Sequence, residues 1–166
     1  MSLIVGIPLL AFEAVFESAV LVRLPVYGGT LNLVLLTVLC WNLLAERSDG
    51  LGWAFAGGLF ADVLSGGPMG ASIIGLLAVG YVAGLTEGRL WRTHFLLPLA
   101  SALLGTIAFH LIYLMILALT GYPVNLADQL AYITFPSVFL NMLGVLPLYW
   151  LIRRLHDWLR PAPVAI

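Results

Sequence analysis

The chain has 166 residues, 62% hydrophobic and 9% charged, with a net charge of −1 and a mean hydropathy of +1.08. Soluble domains carry about 25% charged residues, so this composition cannot cover a water-facing surface and points to an all-α polytopic membrane protein with a single transmembrane domain. The balance of charge argues against a nucleic-acid partner, which needs a basic face, and the single cysteine, Cys40, excludes an internal disulfide or a cysteine cluster for a metal.

In chain order, the N-terminus has no basic residue ahead of its apolar part, so residues 3–22 read as a retained span rather than a signal peptide. Glu13 and Glu17 lie four apart on one helix face of this span. They mark either a polar cavity or partner contact inside the bundle, or a rim where they reach water. Arg23, Pro25 and "YGG" end the span, and the second covers 30–45, stopping at "ERSDG".

Residues 51–86 are all apolar enough for membrane, yet as one helix they would measure about 54 Å against a hydrocarbon core of about 30 Å. The break Gly66-Gly67-Pro68 resolves this, because Pro68 lacks an N–H and restricts Gly67. The segment divides into spans 51–65 and 69–86, with Gly67–Gly70 expected as a type I turn. Asp62 stands one turn before the break. It is expected to accept hydrogen bonds from the N–H groups of Gly70, Ala71 and Ser72, fastening a hairpin, and an asparagine there would keep an acceptor. Ser65, Gly66, Pro68 and Gly70 complete this structural motif. A catalytic reading lacks a second carboxylate at motif spacing, a Ser/His/Asp order and a metal-ligand cluster, so no catalytic residue, cofactor or metal is expected.

Gly80, Gly84 and Gly88 share one face of the fourth span, and Gly75 lies farther up it. Small residues let helices approach closely, and the fifth span, 95–119, offers Ser101 and Gly105. This glycine face is expected to pack on the fifth span or on a partner's helix; in the first case the partner uses another surface, such as the first helix near Glu17. His110, with Thr106 and Tyr113 at helical spacing, reads as a buried histidine satisfied by a hydroxyl. The sixth span, 130–152, has expected bends at Pro136 and Pro147 and carries Ser137 and Asn141, suited to interhelical hydrogen bonds. The stretch 153–166 reads as a cytoplasmic tail lying along the interface until Pro161.

Six spans with both ends on one side place Arg47, Arg89, Arg92, Arg153, Arg154 and Arg160 together and leave only Arg23 opposite. By the positive-inside rule both termini are cytoplasmic, and the five tryptophans near that side read as an interfacial belt.

The stretches "ESAVLVRLPVYGGTLNLVLL" and "GGLFADVLSGGPMGASIIGLLAVGYVAGL" resemble the MreD family of bacterial rod shape-determining membrane proteins. The family pattern of a glycine-rich run, an acid, Leu-Ser-Gly-x-Pro-Leu-Gly and an arginine-ended helix falls on Asp62, Leu64, Ser65, Gly66, Pro68, Met69 and Gly70, then Arg89 and Arg92. Residues 15–92 carry the resemblance, and 93–166 match only in hydropathy. Two positions depart from the pattern: Glu17 stands for a family glutamine, and Leu31-Asn32-Leu33 for Pro-Asp-Leu. The resemblance implies a non-enzymatic scaffold of the cell-elongation (rod) complex in the bacterial inner membrane, supporting peptidoglycan synthesis and cell shape. The implied partners are an MreC-like single-span protein, RodA, a class B penicillin-binding transpeptidase and membrane lipids. It also implies a six-helix bundle similar to the substrate-binding subunits of energy-coupling-factor transporters. A small-molecule-binding subunit of a vitamin-type transporter is therefore the alternative function.

Overall fold

A computed structural model describes residues 2–45, 47–85 and 96–159. Gly88, Arg89, Trp91, Arg92 and Arg160 lie outside the described residues, and with them the expectations on packing and topology that rest on them. The described chain is all-helical, with one isolated bridge between Val26 and Gly29. Helix α1 spans Ser2–Ala19 and is followed by a 3-10 turn, Leu21–Arg23. Then come α2 (Leu33–Leu44), α3 (Arg47–Ser65), α4 (Ala71–Gly84) and α5 (Leu96–Leu119). A short α6 (Leu126–Gln129), a π turn (Leu130–Thr134) and α7 (Phe135–Leu159) run on from one another. Three stretches are long and apolar enough to cross a membrane: Ser2–Arg23, Leu96–Leu119 and Leu126–Leu159. Helices α2 and α4 are apolar but shorter.

Helix α2 is the axis of the bundle. Every residue from Val34 to Leu44 is buried, and α1, α3, α4, α5 and α7 all pack against it. A helix that is apolar all round is the kind that can be enclosed this way. At 1.5 Å per residue its twelve residues span about 18 Å, well short of a bilayer core. Its ends therefore lie inside the protein, where their unpaired backbone groups must find partners.

Several elements differ from the sequence reading. Helix α3 starts at Arg47 rather than near Leu51, so "RSDG" is its first turn and not a loop. Asp49 sits there, where a helix dipole favours an acid, and it accepts a hydrogen bond from the Ser2 hydroxyl at 2.6 Å. Helix α7 continues through the expected tail to Leu159, with Leu155 and Leu159 packed on the core. The π turn lies just ahead of Pro136, whose missing N–H interrupts the α-helical ladder. Trp41 and Trp53 are not part of a belt. Both are 0% exposed and stack with ring centroids 4.0 Å apart, joining α2 to α3, with His156 edge-on to Trp41. Trp150 and Trp158 are exposed.

The glycine face of α4 also packs differently. A side chain at Gly80 would meet Asn42 of α2 and Ala54 of α3 at 3.2–3.3 Å, so this face is buried against those helices and not against α5. Gly84 is buried too. The fifth helix instead places Phe109 against Gly75, and its Gly105 against Leu39 and Val79.

Candidate functional site

The break between α3 and α4 is built around Asp62, which is buried. Its Oδ2 accepts from Gly70 N–H at 2.8 Å and Ile73 N–H at 3.3 Å, and its Oδ1 from Ser72 N–H at 2.8 Å. These are first-turn donors of α4, which have no partner within their own helix. Ala71, expected in this set, instead donates to the Pro68 carbonyl at 3.2 Å. That bond moves the turn one residue along, to Pro68–Ala71. Gly70 occupies its third position at φ +98°, the geometry of a type II turn rather than type I. Gly66 ends α3 at φ +67° as its left-handed cap. A side chain at either glycine would meet open space, so the demand there is conformational and not steric. The Ser65 hydroxyl donates to the Asp62 carbonyl and accepts from Gly67 N–H, both at 3.2 Å.

A second helix start lies close by. Helix α2 begins inside the bundle, and Val34 N–H donates to Glu17 Oε1 at 2.8 Å while Leu35 N–H donates to Asn32 Oδ1 at 2.7 Å. The two positions that depart from the family pattern, Glu17 and Asn32, thus meet at the first turn of α2. The non-helical segment leading into it is satisfied by α7. Thr30 N–H donates to Ser137 Oγ at 3.0 Å, and Asn32 N–H to Asn141 Oδ1 at 2.9 Å. Asn141 Nδ2 passes the chain on to Thr106 Oγ1 of α5 at 3.0 Å. Irregular backbone at membrane depth survives only when enclosed and paired in this way.

Glu13 is 6% exposed, which rules out the rim reading for it; one carboxyl oxygen accepts from Thr37 Oγ1 at 2.8 Å and the other has no partner among the described residues. Glu17 is half-buried and lines a cavity. His110 is satisfied by a hydroxyl, but by Thr134 of the π turn at 3.0 Å and not by Thr106, which serves Asn141.

Between the two helix starts lies a cavity of about 460 Å³, with Glu17, Asn32, Ser65, Ser72, His110 and Thr134 on its wall. A separate, apolar groove of about 290 Å³ runs between α4 and α5. Ala78, Ala83, Ala100, Ser101, Gly105 and Ala108 line it, with exposed Val82 and Leu104 at its sides. Ser101 therefore faces this groove rather than Gly80. Sequence reasoning missed the groove because its alanines carry no motif. A count of small residues on both helices would have found it. Among the described residues, no group of three or more His, Cys, Asp or Glu is placed to hold a metal ion.

No curated protein and no solved structure matches the chain. The family model for rod shape-determining protein MreD matches residues 1–158, and the chain belongs to that family.

Proposed function

We propose that this member of the MreD family is a non-enzymatic scaffold of the bacterial cell-elongation complex. It crosses the inner membrane six times with both ends in the cytoplasm, and it supports peptidoglycan synthesis by holding an MreC-like single-span protein beside RodA and a class B penicillin-binding transpeptidase. The family match over 1–158 carries the reading. The α4–α5 groove supplies a place for the partner. Its small side chains would let a transmembrane helix approach the backbone closely, the usual basis of helix association in lipid. Gly80 and Gly84, buried inside the bundle, are not available for this.

The test is co-purification in mild detergent. The wild-type chain should retain an MreC-like protein, and Ser101→Leu, which fills a half-open groove, should fold normally and lose it. Retention of the partner by Ser101→Leu would move the docking surface elsewhere. Failure of the wild-type chain to bind any single-span protein of the elongation complex would sink the scaffold reading.

One observation favours a second reading, a small-molecule-binding transport subunit similar to those of energy-coupling-factor transporters: the 460 Å³ cavity is of the size that small ligands occupy. Submicromolar binding of a vitamin-sized compound, with no elongation partner, would favour it.

A further inference from the structure

The cavity between the two helix starts holds more polar groups than the fold uses. Glu17 Oε1 and Asn32 Oδ1 are committed to α2, and His110 Nδ1 to Thr134. The Ser72 hydroxyl, the Tyr113 hydroxyl, Asn32 Nδ2 and the Gln129 side chain have no hydrogen-bond partner among the described residues, and His110 Nε2 has none either. These groups come from the α2 entry segment, α4, α5 and α6 and converge on one space. The cavity opens to the surface between exposed Val22, Leu64 and Ile133, so these groups are free to pair with a polar ligand that enters in place of water.

The lining also sets the occupant's chemistry. Among the described residues no lysine or arginine lines the cavity, and Glu17 is the one carboxylic acid on its wall. A phosphate or carboxylate would meet a carboxyl group and no cation, so anions are disfavoured. What remains on offer is amides, hydroxyls, an imidazole nitrogen and a carboxyl, which pair with hydroxyl groups as donors and acceptors at once. Phe109 and Tyr113 stack with centroids 6.0 Å apart and add an aromatic wall. A sugar ring has both surfaces this site matches: hydroxyls at its edge and a C–H face that packs against aromatics. We propose that the cavity binds an uncharged glycosyl group, supplied by a neutral glycolipid or by a free sugar. The inference stands whether or not the chain also holds a single-span partner.

The experiment uses the full chain, purified in an amine-oxide detergent and placed in nanodiscs of phosphatidylethanolamine and phosphatidylglycerol, with monoglucosyl diacylglycerol as the probe. Native mass spectrometry should show the glycolipid retained at least tenfold over phosphatidylglycerol. Gln129→Leu removes a cavity group that bonds to nothing described, and it should cut retention at least fivefold while leaving thermal stability unchanged. Ser72→Ala, which keeps the backbone N–H used by Asp62, provides the same reading if Gln129→Leu does not fold. Maltose added at millimolar concentration distinguishes the sources. Competition means that the sugar alone is recognised, and retention despite maltose means that the lipid is; both support the site. Equal or greater retention of phosphatidylglycerol, or glycolipid retention unchanged in a folded cavity variant, overturns it.

Discussion

Replacing Asp62 should destabilise the protein in a fixed order, with aspartate best, asparagine intermediate and leucine worst. The carboxylate takes three backbone donors on two oxygens: Ser72 on one, Gly70 and Ile73 on the other. Leucine leaves all three without a partner. A buried unsatisfied donor costs about 1–3 kcal/mol, and Gly70 and Ile73 are only partly buried, so water recovers some of their loss; the total comes to about 4 kcal/mol. Asparagine keeps one oxygen, enough for one side of the set. Its NH2 group then points at the remaining N–H, donor against donor, and the charge near the start of α4 is lost. The cost is about 2 kcal/mol. Asparagine keeps an acceptor, as expected, but the geometry shows that one acceptor cannot replace two. Unfolding in mixed micelles titrated with SDS measures this, read through the fluorescence of the Trp41–Trp53 stack, which lies away from the hairpin. A leucine variant within about 1 kcal/mol of wild type, or one indistinguishable from asparagine, would refute the claim that these three bonds hold the hairpin.

Gly66→Ala and Gly70→Ala should each cost about 1–2 kcal/mol in the same titration despite the open space around them, because both need a left-handed backbone. Gly80→Leu should deplete folded protein rather than release a partner from an intact bundle, since the new side chain would collide with Asn42 and Ala54; normal yield with loss of the partner would show that this face points outward. In a Cys40→Ser background, a cysteine at Tyr122 should react with an impermeant reagent applied from outside intact cells and one at Asp157 should not. The reverse pattern would invert the proposed topology.

The hairpin was legible in the sequence because its determinants are local. Proline and glycine fix the backbone where they stand, and an acid eight residues before a helix's cap residue can reach that helix start. Errors of one residue remained, in the turn and at Ala71, since offset alone does not choose between neighbouring donors. The role of Glu17 was not legible. Its partner, Val34, lies across a turn and belongs to a helix whose depth in the bundle no composition reveals. Hydropathy failed in a different way for Trp41, Trp53 and the face of Gly80. In lipid the protein's outside is as apolar as its inside, so the contrast that orients a helix in a soluble protein is missing. A stripe of small residues says that something packs closely there without saying which helix. The charged "RSDG" misled for the opposite reason. It looked like a loop, yet acids are favoured in the first turn of a helix, and Ser2 gives Asp49 a bond across to α1.

Two carboxyl groups in an apolar bundle do one kind of work. Helix α2 is short enough to start within the protein, and α4 starts after a proline break, so each presents first-turn N–H groups that need a partner outside their own helix. Glu17 takes one from α2, and Asp62 takes three from the loop and first turn of α4. Both helix starts open on the same cavity, with Asn32, Ser72 and His110 on its wall. Polar groups that support the fold thus also form one wall of that cavity. A ligand there would touch the entry of α2, and α2 packs against α1, α3, α4, α5 and α7. Leu39 of the same helix lines the α4–α5 groove and packs on Gly105, so α2 borders both spaces. Coupling between cavity and groove would appear as a change in partner affinity on addition of the glycolipid, and by thermodynamic reciprocity as an equal change in glycolipid affinity on addition of the partner.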